Sequence, residues 1–574
     1  MAPATVTIAS GATWQEVAAD RQRHRDESIA AVRPPVPEIR PEDVPVSTIA
    51  IPEKLLTARE VQITSLDVPD LAKRVASGEW STTTVVNAFL RRAGIAQKLT
   101  NCLTELLPKR ALARAAELDR YLADNGKPIG PLHGVPFSVK EHIGIKDEDI
   151  NASFVSWVGR VSKEDALVVQ CLEEAGAVVF ARTTQPQTLM HIETSNNLYG
   201  VTVNPHNTTL TAGGSTGGEG ALIALRGSLL GIGTDIGGSI RAPAANNGIF
   251  GYKPTTMRMP TAGWSIAMGG AESILGSVGP LSTSLEGLRL FAQTVVGRRP
   301  WLRQPSLVAM DWRDPAQFFP DRKIRVGVIR NDGVVRPHPP ILRAIDEFVT
   351  KLKSHPNIEI VDWKPWRHDL AWSVIAKLYY PDGGKEIKEI VESCGEPWRP
   401  LSKFMLHENP HVEPLTIETL WDAVVAREEY RNKYAQLWNE TAAGRADGRP
   451  LDVILCPATP SVAPKLDTSR YWGYTAQWNL LDYPGIIFPT ADFVGAGGPD
   501  AAAREAPYAY PDGYEPLSPS DAYFRDQWAE HGVEGYVGAP ISLQLVARRY
   551  DDEKLFKAVQ ILLETAGLPT AVPA

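Results

Sequence analysis

Residues 213–251 read GGSTGGEGALIALRGSLLGIGTDIGGSIRAPAANNGIFG. Twelve of these 39 residues are glycine, against 46 among the 574 of the whole chain. Glycine admits positive φ and lets backbone N–H groups converge with no Cβ in the way. Such density marks a place where the backbone approaches something closely. Ser215 and Ser239 stand inside the glycine clusters. A hydroxyl ringed by bare amides is what acyl transfer requires: a nucleophile, and donors for the charge that its attack creates. Glycines that served tight turns and close packing alone would rarely place two serines this way.

Other glycine-rich motifs fit less well. A P-loop requires G-x-x-x-x-G-K-[ST]. Gly213 and Gly218 have that spacing, but Glu219 and Gly220 follow, and an acid where a phosphate-pairing lysine belongs argues against a nucleotide. The dinucleotide pattern G-x-G-x-x-G begins at Gly231 and Gly233 and fails at Ile236. Residues 213–217 also spell G-x-S-x-G, the nucleophile elbow of α/β-hydrolases. An elbow follows an apolar strand, and HNTTLTA at 206–212 makes a poor one. It also needs an acid and then a histidine further along. His368 and His531 lie in polar, charged surroundings and read as surface residues. An esterase with Ser215 as nucleophile remains an alternative.

A base is better sought upstream. PLHGVPFSVK at 131–140 reads as a turn, a short apolar strand and then Lys140. A lysine closing an apolar run ordinarily marks a strand reaching the surface. Its other reading is a desolvated amine, since burial disfavours the ammonium and lowers its pKa. Neutrality at pH 7 requires about 4–5 kcal/mol relative to an unperturbed lysine. A buried site can supply much of that, and the neutral amine is then a general base.

These segments resemble the amidase signature family. GVPFSVK at 134–140 is similar to the strand carrying the family lysine, GGSTGG at 213–218 to its GGSSGG, and GTDIGGSIR at 233–241 to its nucleophile segment. Lys140 precedes Ser215 by 75 residues and Ser215 precedes Ser239 by 24, spacings that agree with the family. The resemblance is greatest to fungal acetamidases and general amidases, with the fatty-acid amide hydrolases as relatives. TWQEVAAD at 13–20, RPHPPIL at 336–342 and GAPISLQ at 538–544 also have counterparts there. The resemblance implies hydrolysis of amides through an acyl-enzyme by a Ser–cis-Ser–Lys triad. Lys140 is then the base, Ser215 the bridging serine on a cis peptide, and Ser239 the nucleophile, with amides of Ile236, Gly237, Gly238 and Ser239 as the oxyanion hole. It places Leu189 and Met190 on the acyl pocket, and Trp472, Trp478 and Asn479 on its other wall. No metal and no cofactor is implied. Thr216 replaces the family's second serine and keeps a hydroxyl. Asp147 stands where the family usually has glycine, which suggests a differently shaped loop beside Lys140. Asp235 and Arg241 flank the nucleophile and read first as an ion pair fixing the loop. The fold has a second class of member, silent or partner-dependent amidotransferase-type subunits. The intact Lys140, Ser215 and Ser239 speak against that reading here.

Composition agrees with an enzyme. A hydrophobic content of 43% with 22% charged residues is that of an ordinary globular chain. A net charge of −8 gives no support for a nucleic-acid partner. Cys102, Cys171, Cys394 and Cys456 are far apart, form no C-x-x-C pair and suit reduced, buried thiols in a cytoplasmic protein. The first residues lack the basic start and apolar core of a signal peptide, and no window approaches 18 uninterrupted apolar residues. The expected partner is a small-molecule amide, with no membrane span and with a homodimer as an allowed assembly.

Residues 1–60 read as a helix followed by an arm that Pro34, Pro35, Pro37, Pro41 and Pro45 keep irregular, and residues 61–574 as one domain. Asp67 opens a helical pattern, 101–122 reads as strand then helix, 166–176 as a helix, and 177–181, 323–329 and 451–457 as strands. Residues 340–445 read as a mostly helical variable region and 494–520 as a surface insertion loop. Strands alternating with helices predict an α/β fold with a large sheet covered by helices on both faces. The family resemblance makes that a mixed, twisted sheet of about eleven strands.

Overall fold

A computed structural model describes residues 11–320 and 322–573. Residues 1–10 of the expected N-terminal segment lie outside the described residues. The strands are β1 (Leu103–Leu106), β2 (Pro136–Lys140), β3 (Val178–Thr183), β4 (Ser195–Asn196), β5 (Gly200–Val201), β6 (Leu230–Asp235), β7 (Phe250–Lys253), β8 (Ser277–Ser282), β9 (Ile324–Val328), β10 (Ile358–Asp362), β11 (Val453–Pro457), β12 (Gly485–Phe493) and β13 (Pro540–Val546). Eleven of them form one sheet in the order β1-β3-β2-β6-β8-β7-β12-β13-β11-β9-β10, while β4 and β5 pair apart. The large sheet is mixed. β2 runs parallel to β3 and β6, and β9 parallel to β10 and β11, while β6–β8, β7–β8, β7–β12, β12–β13 and β11–β13 are antiparallel.

Every residue of β2, β3, β6, β8 and β13 is buried. Side chains on a strand alternate between faces, so both faces of the sheet are covered. Sequence explains the neighbouring helices locally. Asp67 caps Val68–Ala76 by accepting the Asp70 N–H, and Ser81 caps Thr82–Thr100 by accepting the Thr84 N–H. Thr13 and Glu16 form a reciprocal capping box that starts the helix Trp14–Ala30. That helix packs Val17 and Ala18 against Val155, Leu198 and Tyr199 of the main body. Residue 60 falls inside the helix Ala58–Thr64.

The region 340–445 holds the long helices Pro339–Lys353, His368–Tyr379 and Ile417–Glu440, but also β10 at the edge of the sheet. Residues 494–520 carry the helix Ala501–Glu505, pinned by Arg343 to Glu505 Oε1 at 2.9 Å. No helix among the described residues is long and apolar enough to cross a membrane.

The register of β2 against β6 pairs Ser138 with Gly231 and Val139 with Ile232. Lys140, next along β2, is thereby delivered to the end of β6, which carries Thr234 and Asp235 and runs into the glycine turn 236–239. Packing accounts for part of the glycine density. A Cβ on Gly218 would stand 2.5 Å from Thr184 N and 2.6 Å from Cys102 O, so the start of the helix Gly217–Ala224 lies directly on neighbouring backbone.

Candidate active site

Lys140 is fully buried at the end of its strand. Its Nζ is 2.6 Å from Ser215 Oγ and 3.0 Å from Thr234 Oγ1. Withdrawal from water lowers its pKa to about 7, outweighing Asp235 and Glu219, which favour the charged form. Glu219 opposes it weakly near neutral pH. Burial pushes its carboxyl up to about 8 despite hydroxyl donors on Ser138 and Thr183, so it is largely uncharged there.

Thr234 continues the chain of contacts. His142 Nε2 is 3.0 Å from Thr234 Oγ1, and its Nδ1 is 3.0 Å from Ser265 O. A carbonyl can only accept, so Nδ1 carries the hydrogen and Nε2 accepts from the Thr234 hydroxyl. The Thr234 oxygen then accepts from Lys140. Burial, and then the charge on Lys140, hold His142 well below its ordinary pKa and keep it neutral.

Ser215 is reached through a cis Gly214–Ser215 peptide and precedes the helix Gly217–Ala224. Ser239 lies in the turn after β6, and its carbonyl accepts the Thr216 N–H at 3.1 Å. No hydrogen bond joins the Ser215 and Ser239 hydroxyls among the described residues. Catalytic contacts are often open before substrate binds. Of the turn amides, Gly238 N–H donates to Asp235 Oδ1 at 2.8 Å. This corrects the expectation that Gly238 offers a free amide. The N–H groups of Ile236, Gly237 and Ser239 have no protein acceptor among the described residues.

The chain covers 95% of its length in a match to protein C550.07 of Schizosaccharomyces pombe, 43% identical over 549 residues and covering 98% of that protein. It is 36% identical over 549 residues to an acetamidase of Emericella nidulans, covering 94% of this chain and 96% of that one. Among solved structures it is similar to fatty acid amide hydrolase, with TM-score 0.88, 32% identity and coverage of 97% and 96%. The family described as Amidase matches residues 84–556. The chain belongs to the amidase family. It is an amide-hydrolysing enzyme, and its eleven-stranded mixed sheet is that family's fold.

The buried Asp235–Arg241 pair of this amidase is the structural device that the sequence suggested. Arg241 NH2 and Nε reach Asp235 Oδ1 and Oδ2 at 2.9 and 3.0 Å. Asp235 also accepts from Gly238, Ile240 and Asn479, so one carboxylate shapes the whole turn. Burial alone would raise its pKa, but Arg241 and these donors hold it well below the usual carboxylate range. Asp235→Ala is expected to cost about 3–5 kcal/mol of folding stability, because Arg241 stays buried without its counter-charge. A urea midpoint unchanged from the native chain would contradict this.

A cavity of about 300 Å³ opens onto Ser215 and Ser239. Its walls are chiefly apolar, with Leu189, Met190, Met259, Trp264 and Ile274 among them. Trp472 lines an adjoining recess with Leu189, Ile236 and Tyr379. Trp478 and Asn479 are not walls. Trp478 is 1% exposed and stacks on Tyr483 in the core, while Asn479 is bonded to Asp235 and Arg241. His368 is likewise buried, against Tyr434, and not on the surface. Asp147 sits at φ 67°, so it takes the left-handed conformation that a glycine would supply. Thr216 Oγ1 contacts Thr234 O at 3.4 Å. The elbow reading lacks its strand: residues 206–214 hold only the isolated bridges Val203–Thr211 and Leu210–Lys465.

His142, Thr234 and Tyr379 were not singled out from the sequence. His142 lies in the turn that follows β2, closed by the Ile143 N–H donating to Lys140 O at 3.0 Å, so strand alternation does not pair it with Lys140 and no local pattern singles it out. Tyr379 Oη donates to Ile236 O at 2.9 Å from a helix 143 residues away in sequence, and no local signal points to it.

Proposed function

We propose that this amidase hydrolyses small to medium carboxamides through an acyl-enzyme on Ser239, with Lys140 as base and Ser215 as proton bridge. The observation that carries the reading is the fully buried Lys140 amine 2.6 Å from Ser215 Oγ. With one N–H spent on Thr234, a neutral Lys140 turns its lone pair to the Ser215 hydroxyl. Ser215 passes that proton on and takes the one from Ser239. Ser239 Oγ attacks the substrate carbonyl, and the Ile236, Gly237 and Ser239 amides receive the oxyanion. Lys140 returns the proton through Ser215 to the substrate nitrogen. The C–N bond breaks, ammonia or an amine leaves, and an ester remains on Ser239. Water repeats the sequence and releases the acid.

The cavity supports the substrate range. Its volume of about 300 Å³ stands at the low end of small-molecule sites, about 300–1,000 Å³. Apolar walls disfavour charged acyl groups. Relatives named acetamidases and a neighbour named for fatty acid amides bracket the acyl lengths. Across acetamide, hexanamide, benzamide and oleamide, kcat/KM is expected to be highest for hexanamide or benzamide and at least about tenfold lower for oleamide. Leu189→Ala should move preference toward longer chains by about tenfold, the value of one or two methylenes. A clear preference for oleamide would overturn the size assignment. No product from any of the four would turn the reading to a subunit that needs a partner.

A further inference from the structure

Tyr379 is the last residue of the helix His368–Tyr379, and its hydroxyl donates to Ile236 O at 2.9 Å. The Ile236 carbonyl and the Gly237 N–H are the two ends of one peptide unit. A donor at the carbonyl end withdraws electron density from the nitrogen, which makes the N–H a stronger donor and fixes the plane in which it points. Gly237, Ile236, Ser239 and Tyr379 line one recess. The next carbonyl along, Gly237 O, is held by Thr475 Oγ1 at 2.6 Å, but the N–H of that unit belongs to Gly238 and is spent on Asp235. Of the two bonds, only the one from Tyr379 belongs to a peptide unit whose N–H has no protein acceptor among the described residues. A Cβ on Gly237 would stand 2.5 Å from Tyr379 Oη and 3.2 Å from Trp472 Nε1, so glycine leaves the room this contact needs. Burial, and then Asp235, push the phenol well above its ordinary pKa, so the donor keeps its proton.

We infer that Tyr379 is a positioning residue for the reaction, which orients and polarises the Ile236–Gly237 peptide so that the Gly237 N–H meets the charge developing on the substrate carbonyl oxygen. This rests on the proposal that Ser239 is the nucleophile.

Tyr379→Phe removes the hydroxyl and keeps the ring. With hexanamide, kcat should fall about tenfold, less than the roughly 10²–10³ that follows loss of an oxyanion donor itself. KM should stay within twofold. The affinity of 1,1,1-trifluoro-2-heptanone, which adds to a serine hydroxyl as an oxyanionic hemiketal, should fall by the same factor as kcat, because both report the charged state. A merely structural role would lower the melting temperature and leave that parallel broken. Gly237→Ala, which displaces the same hydroxyl, should reproduce both losses and serves if the phenylalanine variant does not fold. Values of kcat and ketone affinity within twofold of the native enzyme would overturn the proposal, as would a fall in kcat with unmoved ketone affinity. Ser239→Ala is measured alongside. Turnover surviving there overturns the nucleophile assignment and this proposal with it, whereas a dead Ser239→Ala beside an unaffected Tyr379→Phe overturns this proposal alone.

Discussion

Ser239→Ala is expected to lower kcat by about 10⁵–10⁶, the scale seen when the nucleophile of a serine hydrolase triad is removed. The reason lies in what remains. Lys140 and Ser215 still hold each other at 2.6 Å, and the turn amides still face the cavity, but no oxygen is left in the turn to take the acyl group. Ser215 does not substitute for it. Its hydroxyl is engaged by Lys140 at 2.6 Å, and in the proposed relay its proton is the one that moves first. Substrate affinity should change little, since a methyl replaces a hydroxyl at the cavity wall. Single-turnover measurements check this: no burst of amine release should appear. A variant retaining more than about one-thousandth of native kcat would contradict the assignment, because a loss of about 10²–10³ is what a single oxyanion donor is worth.

Lys140→Met and Lys140→Arg should each lose about 10⁴ in kcat/KM, near the upper end of what a positioned general base contributes. Arginine keeps the charge and the donors but cannot deprotonate at working pH, so it separates a base from an electrostatic anchor. The native enzyme should show the matching pH dependence. In the proposed mechanism the active form has neutral Lys140, whose pKa burial brings down to about 7. kcat/KM should therefore rise with pH through that value, level off above it, and fall tenfold per unit at more acid pH. A profile falling toward alkaline pH through the same midpoint would mean that the ammonium is the working form. Near-native turnover by Lys140→Arg would remove Lys140 as the base altogether.

The legible parts of the site were those in which one short segment holds both the chemistry and its geometry. Lys140 closes a five-residue strand that is buried throughout, and Ser215 and Ser239 sit in glycine runs where the backbone has nowhere else to go. The Asp235–Arg241 pair was legible for the same reason, being six residues apart across one turn. The contacts that were not legible join distant segments. Tyr379 reaches Ile236 from 143 residues away, and His142 reaches Thr234 across 92 residues from the turn after β2. Trp478 shows the limit of reading walls. Its helix Gly473–Leu480 is buried all round, so no polar face distinguishes core from pocket. β10 was hidden inside a helical region because IEIVD is short and half-exposed at the sheet edge, a pattern that flanking helices of 12 and 15 residues overshadow.

The central claim is that the acyl group is carried by Ser239. The direct measurement is the site of covalent labelling when the native enzyme is inactivated by a fluorophosphonate, read by peptide mass spectrometry. One equivalent of adduct on Ser239, absent from Ser239→Ala, is the predicted result. An adduct on Ser215, or inactivation that leaves Ser239 unmodified, would contradict it.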